Sequence, residues 1–200
     1  MNKLVIYGCG GHSRSVADVI LFNNPGEILT FVDDRAQSLE NIFGFEVCKE
    51  YKVTKEDRCF LAVGDNLKRR ERFNEIPVAS LISVISKKAY IGFDSKIGIG
   101  CFLAHSCHLG PEVVIGENSI INTRCVVEHE VQVGSFCHIA PNSTISGRVK
   151  IEDYVFVGAG ATVIDKVKIC SFVTVGAGAT VTKDITVPGT YIGTPARRIK

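Results

Sequence analysis

Apolar positions in the second half of the chain recur with a period of six. From Ile91 onward, every sixth residue is Ile, Leu or Val as far as Val187, seventeen positions in succession. The position four residues after each is also restricted. From Ser95 to Ile185 it holds only Ser, Cys, Val, Ala or Ile, with no charge and no ring. A hexapeptide period predicts a parallel β-helix, in which each repeat turns one large aliphatic and one smaller side chain inward and each coil buries its interior against its neighbours. Cys101, Cys107, Cys125 and Cys137 fall on the smaller inner position, which predicts buried structural thiols.

The first ninety residues follow a different pattern. KLVIYG (3–8) is an apolar run ending in glycine, and ILTFVDD (28–34) and CFLAVGDN (59–66) are two more predicted strands. Between the first two, Val16, Val19 and Ile20 share a helical face, with Ser13 as the expected N-cap. LKRRERF (67–73) predicts a short second helix. The result is a small open α/β unit with a parallel sheet, whose ligands belong beyond the carboxyl ends of the strands. Those ends carry Gly8-Cys9-Gly10-Gly11-His12, Asp33-Asp34 and Gly64-Asp65-Asn66. A glycine-rich turn before a helix suits phosphate as well as a tight turn, and an acid ending the second strand can accept bonds from a ribose or base. About 80 residues is half of a full dinucleotide domain, so a nucleotide-linked substrate fits better than a dinucleotide. The expected division is 1–80 for nucleotide-sugar binding and 81–200 for the β-helix.

Net charge is +2, with 23 basic and 21 acidic residues, which gives nucleic acid no concentrated basic face. The one basic cluster, Lys68, Arg69, Arg70 and Arg72, reads as a solvated helix face or a phosphate contact. No apolar run reaches the length of a membrane span, and the start MNKLVIYG lacks a signal-peptide core, so the expected location is cytoplasmic. Eight cysteines occur without any CxxC pair, as expected for reduced thiols and no metal.

The six-residue pattern resembles the left-handed β-helix of hexapeptide-repeat acyltransferases. In that fold three hexapeptides close a triangular coil of 18 residues, and the resemblance implies a homotrimer with active sites between subunits. An 18-residue coil stacks residues 18 apart. VGAGATV occurs at 157–163 and again at 175–181. The edge formed by Gly158, Ala159, Gly176 and Ala177 therefore lacks bulk over two coils. It reads either as corner chemistry or, by resemblance, as a channel for the pantetheine arm of coenzyme A.

The stretch VVEHEV (126–131) places His129 between two glutamates. Val127 and Val131 occupy inward positions, so the intervening trio belongs at the surface. Gly147 lies 18 residues further on, which puts an imidazole beside an exposed main-chain N–H. That pairing suits acyl transfer: imidazole takes a proton near neutral pH, a carboxylate orients its other nitrogen, and a fixed N–H stabilises the developing oxyanion.

Five segments make the resemblance specific: YGCGGHS, FVDD, VGDN, INTRCVVEHEVQVGSFCHIAP and YIGTPARRIK. Together they are similar to the sialic acid O-acetyltransferase-like family, most closely to bacterial UDP-amino-sugar N-acetyltransferases of the bacillosamine type. The fold implied is a small Rossmann-like unit followed by a left-handed parallel β-helix. The chemistry implied is acetyl-CoA-dependent N-acetylation of a nucleotide-linked amino sugar. The resemblance assigns His129 as general base, Glu130 as its orienting carboxylate, Asn122 as an active-site asparagine, Gly147 as the oxyanion N–H and His138 as a contact of acetyl-CoA near the thioester. Gly10, Gly11, His12, Asp33 and Asp34 correspond to nucleotide-sugar loops, joined by Gly64 and Asn66. Gly193, Thr194, Pro195 and Ala196 resemble the turn near the adenine end of coenzyme A. Asp65 departs from the asparagine common in relatives.

Three other functions compete. An O-acetyltransferase acting on a sialic acid or related hydroxyl is the nearest. A γ-carbonic-anhydrase-like zinc site needs three converging imidazoles, and the spacing of His105, His108, His129 and His138 does not supply them. A non-catalytic sugar-binding scaffold would leave one of the two furnished sites without a purpose.

Overall fold

A computed structural model describes residues 4–37 and 40–199. Lys3, the first residue of the expected opening strand, and Lys200 at the end of the C-terminal motif lie outside the described residues.

The N-terminal unit is built from β1 (Leu4–Tyr7), α1 (Gly11–Asn23), β2 (Leu29–Val32), β3 (Asn41–Ile42), β4 (Phe45–Cys48), β5 (Arg58–Leu61) and α2 (Asn66–Phe73). The sheet order is β3-β4-β2-β1-β5, parallel except for the β3–β4 hairpin. That hairpin adds two strands to the three expected. Its two turn residues, Phe43 (φ 53°) and Gly44 (φ 84°), both sit in the left-handed region, as a type I′ turn requires. Ser13 is not the N-cap. The helix starts three residues earlier than that cap implies, Gly10 takes the cap position, and the buried Ser13 hydroxyl donates to the Gly10 carbonyl at 2.9 Å. Gly8, at φ 107°, approaches β5 so closely that a Cβ would stand 2.8 Å from the Ala62 carbonyl oxygen.

From Val84 the chain winds into a left-handed parallel β-helix. Two-residue strands repeat every six residues and pair in parallel with strands 18 residues away, for example Val126 with His108 and Thr144. Three faces result. The first face holds strands at 90–91, 108–109, 126–127, 144–145, 162–163 and 180–181. The second holds those at 96–97, 114–115, 132–133, 150–151 and 168–169. The third runs from 84–85 through 102–103, 120–121, 138–139, 156–157 and 173–175 to Gly189–Ile192. The periodic aliphatics from Leu103 to Val181 are all buried. Val187 is 50% exposed, because the six-residue register ends after Val181 and Ile185 takes the inner place.

Two regular devices hold the corners. At each corner one residue adopts positive φ, every sixth residue from Asp94 to Gly178, and most of these are not glycine. The left-handed conformation costs an L-residue about 1–2 kcal/mol. From Glu112 onward each such residue donates its N–H to the carbonyl 19 positions earlier, on the preceding coil, as Glu130 does to Pro111 and Arg148 to His129, both at 3.0 Å. A net gain of about 1 kcal/mol per such bond offsets much of the strain. The second device explains why Ser and Cys share the small inner position. The Cys101, Ser119, Cys125, Cys137 and Ser143 groups each donate to the carbonyl 15 residues on, at 2.8–3.1 Å. A thiol or hydroxyl there satisfies a corner carbonyl that Val leaves to other partners. All four inner cysteines are free and buried, and burial pushes Cys107, Cys125 and Cys137 up to about 12 and Cys101 up to about 11.

The N-terminal unit packs on the third face. Leu4, Ile6, Val16, Phe31 and Phe60 form one cluster with Val84, Phe102, Ala104 and Ile120 of the β-helix.

Candidate active site

The selected residues fall in four places. His129, Glu130 and Gly147 share the edge between the first and second faces. His129 Nδ1 lies 2.9 Å from Glu130 Oε2. A carboxylate accepts, so Nδ1 donates, and in the neutral ring Nε2 then keeps its lone pair. The imidazole extends over Gly147: a Cβ built there would stand 2.6 Å from both Cε1 and Nε2. The coil-to-coil bonds on either side run from the Ser146 and Arg148 N–H groups, so Gly147 sits in the gap between two fixed rungs. Val127 and Val131 are buried, while the His129 and Glu130 side chains are 42% and 49% exposed. The arrangement expected from an 18-residue coil is therefore present.

His138 and Asn122 lie elsewhere, beside the N-terminal unit. His138 Nδ1 contacts the Gly64 carbonyl at 3.2 Å, and its Nε2 contacts Asn122 Nδ2 at 3.2 Å. A carbonyl can only accept, so His138 is protonated on Nδ1 and its Nε2 accepts from the Asn122 amide. His12 points into the same junction, edge-on to Phe102 at 5.2 Å and 6.1 Å from the His138 ring. Its Nε2 is buried and lacks a hydrogen-bond partner among the described residues. Asn66 reaches the same seam, where its Nδ2 donates to the Val155 carbonyl at 3.2 Å.

Burial, with the charge of Arg69 and the proximity of His138, holds His12 down at about 3. Burial outweighs the Gly64 hydrogen bond and, with a smaller push from the Arg69 charge, holds His138 at about 4. In the unfolded chain both return to about 6.5. The folded form thus resists two protons that the unfolded form accepts. Stability should be level above about pH 6.5 and fall toward pH 4, with a limiting slope of about 2.7 kcal/mol per pH unit for two groups. Denaturant titrations at a series of pH values check this. A flat profile would show that these rings are not buried and neutral.

The third place is the Gly-Ala edge between the third and first faces. Gly158 and Gly176 stack so tightly that a Cβ on Gly158 would meet the Ala177 nitrogen at 2.5 Å. Ala159, Gly160, Ala177 and Gly178 are exposed, and Gly160 and Gly178 have positive φ with open space around them. Gly193, Thr194, Pro195 and Ala196 fold over the end of this edge. Thr180 donates its N–H to the Gly193 carbonyl, and Ala196 donates to that of Thr180. The Thr194–Pro195 bond is cis. Over these two coils the edge carries no side chain larger than a methyl group.

The fourth place is a cavity of about 970 Å³ at the carboxyl ends of β1 and β2, lined by Gly8, Asp33, Asp34, Tyr51, Lys68 and Arg72 among others. Asp33 accepts from the Cys9 and Arg35 N–H groups at 3.1 and 3.0 Å. Burial acts to raise it, but those bonds and the Arg35 charge hold it below the usual carboxylate range. Asp34 pairs with Arg72 at 3.2 Å. Gly10 and Gly11 begin α1 and do not line the cavity. Asp65 caps α2, accepting from the Lys68 N–H at 2.9 Å, a task an asparagine performs equally well.

Arg69 was not singled out from its neighbours by the sequence, yet it is 1% exposed. Its guanidinium donates to the carbonyls of Asn118, Val63, Gly64 and Cys137 and to Asn66 Oδ1. Burial lowers it to about 10, which leaves it charged. It pins the N-terminal unit to the third face and shares the Gly64 carbonyl with His138. The available signal was its helical spacing with Asn66 and Phe73.

Among the described residues no group of three or more His, Cys, Asp or Glu is placed to hold a metal ion, and no helix is long and apolar enough to cross a membrane.

Residues 3–76 match the PglD N-terminal domain, and residues 88–123, 112–147 and 148–183 match the bacterial transferase hexapeptide family of six repeats. No curated protein matches the chain by sequence. Among solved structures, the acetyltransferase domain of PglB from Neisseria gonorrhoeae FA1090 superposes with a TM-score of 0.92 at 28% identity, over 100% of both chains. A second structure of that domain is a complex with acetyl coenzyme A. A variant of perosamine N-acetyltransferase from Caulobacter crescentus, in complex with CoA and GDP-perosamine, superposes with a TM-score of 0.90 at 28% identity, over 100% of this chain and 98% of that one. With both its N-terminal unit and its repeats matched, the chain belongs to the hexapeptide-repeat acetyltransferases that carry a PglD N-terminal domain.

Proposed function

We propose that the chain transfers the acetyl group of acetyl-CoA to the amino group of a nucleotide-linked amino sugar, with His129 as general base. The observation that carries this reading is the His129 imidazole: Nδ1 is held by Glu130, and Nε2 is left free above Gly147. A sugar amine placed within hydrogen-bond reach of Nε2 attacks the thioester carbon and gives its proton to Nε2; the C–S bond then breaks, and the departing thiolate takes the proton from Nε2–H and leaves as the thiol. The Gly147 N–H faces the carbonyl oxygen as charge develops on it; one such donor is worth about 3 kcal/mol in comparable sites. The Gly158–Ala159 and Gly176–Ala177 edge receives the pantetheine arm. Thr194 and Pro195 lie toward the adenine; Asn122, which stands in the 18-residue column of Gly158 and Gly176 two coils away, and His138 beside it lie toward the thioester. The N-terminal unit, residues 1–80, holds the nucleotide in the cavity beside Asp33 and Asp34, and residues 81–200 perform the transfer.

His129 and the Gly-Ala edge stand on different edges of one prism, separated by the first face. One chain alone does not bring base and thioester together, whereas a second copy can lay its Gly-Ala edge against the His129 edge. A homotrimer repeats that contact three times and closes it.

The related structures support an amine acceptor, since one of them holds GDP-perosamine. The direct test is a screen of UDP-, dTDP- and GDP-linked 4-amino and 3-amino sugars with acetyl-CoA, following thiol release. Release with one amino sugar is expected. Release only with hydroxyl acceptors would replace this reading with O-acetylation.

A further inference from the structure

The column of residues beneath His129 continues one coil further. His129, Gly147 and Asp165 are spaced by 18, and their backbones are tied vertically: Arg148 N–H donates to the His129 carbonyl and Lys166 N–H to that of Gly147, both at 3.0 Å. The notch left by the missing side chain of Gly147 has two polar walls. The position of an absent Cβ lies 2.6 Å from His129 Nε2 and 3.2 Å from Asp165 Oδ1. Nε2 and Oδ1 are therefore at most about 5.8 Å apart, the sum of those distances. At any separation short of that limit, one donor atom standing outward of the notch reaches both at ordinary lengths of about 2.9 Å.

We propose that Asp165 is the residue that selects an amine over a hydroxyl at the acceptor position. This inference rests on the proposed role of His129. The nucleophile must direct one hydrogen at His129 Nε2. An amine has a further hydrogen for Asp165 Oδ1; a hydroxyl has one hydrogen and can satisfy only one of the two acceptors. With a hydroxyl bound, the Asp165 carboxylate faces the acceptor oxygen lone pairs across the notch, which is repulsive. An ammonium form gains from the same carboxylate by charge. Two cations hold the carboxylate in place and favour its ionised form. Arg148 Nη2 reaches both of its oxygens, at 3.2 and 3.3 Å, and Lys166 lies 3.5 Å from Oδ2. Those partners leave Oδ1 able to accept once more toward the notch. At 43% exposure the side chain is reachable by a ligand arriving from solvent.

The test measures binding by calorimetry for three matched pairs: UDP-, dTDP- and GDP-linked 4-amino-4,6-dideoxyhexoses, each with its 4-hydroxy counterpart. The proteins are the wild type and Asp165→Asn, compared at equal thermal midpoint. For at least one pair the wild type should prefer the amino member. In Asp165→Asn the amino member should weaken by about 10-fold or more, as for the loss of a charge-assisted hydrogen bond. The hydroxy member should stay unchanged or tighten. Equal weakening of both members would identify Asp165 as a purely structural partner of Arg148 and overturn the assignment. So would a wild type that binds the amino and hydroxy members of all three pairs alike. Failure of the His129 reading is seen separately, in turnover of His129→Ala.

Discussion

His129→Ala lowers turnover at least about 100-fold while acetyl-CoA still binds. The size follows from the role: a positioned base contributes about 10²–10⁴-fold, and among the described residues this edge carries no second imidazole to replace it. Survival of cofactor binding follows from placement, because the Gly-Ala edge carries the pantetheine arm and His129 of the facing copy meets the cofactor only at the thioester. The fold should tolerate the change, since Val127 and Val131 hold this coil from inside and the imidazole lies mostly outside it. Steady-state rates with calorimetric acetyl-CoA binding check both halves. Near-normal turnover would remove the base assignment. Lost cofactor binding would mean that the two edges are not independent.

Gly147→Ala should be nearly as damaging, by about 100-fold, for a steric reason alone. The added methyl would meet Cε1 and Nε2 at 2.6 Å, inside any tolerable contact. Gly147 does not have positive φ, so alanine imposes no backbone strain there. The imidazole must swing away, and displacement of a reacting group by about 1 Å is enough to cost about 100-fold. Thermal stability should change little. The double variant His129→Ala/Gly147→Ala should be no slower than His129→Ala, because both changes disable one group. Rates and melting temperatures of the three variants check this. A fully active Gly147→Ala would show that the imidazole does not work from this position.

Much of the β-helix was legible because its inward positions depend only on size, which a sequence displays directly. Eighteen-residue arithmetic then placed His129 over Gly147, and one further step of it would have found Asp165. The corner conformations were not legible. Phe136, Tyr154 and Phe172 occupy left-handed positions that their own propensities disfavour. Bonds to the preceding coil hold them there, and the first two contacts in that column are ring stacks at 5.7 and 4.8 Å. Arg69 was hidden for a similar reason. Its charge suggests solvent, and its burial depends on carbonyls 49 and 68 residues away that sequence proximity does not reveal. The GCGGHS loop suits either phosphate or a tight turn, and its sequence does not show that its histidine turns toward the β-helix and lies against Phe102 and His138.

The account depends on a site shared between copies, with the base from one and the thioester edge from another. Co-expression of two inactive chains tests this most directly: His129→Ala, which keeps its edge, and Ala177→Trp, which blocks its edge but keeps its imidazole. Random mixing in a closed oligomer should leave about one quarter of the sites with both intact parts. Activity near that fraction is the predicted result. A co-expressed mixture as inactive as either parent would place base and thioester on the same chain and contradict the account.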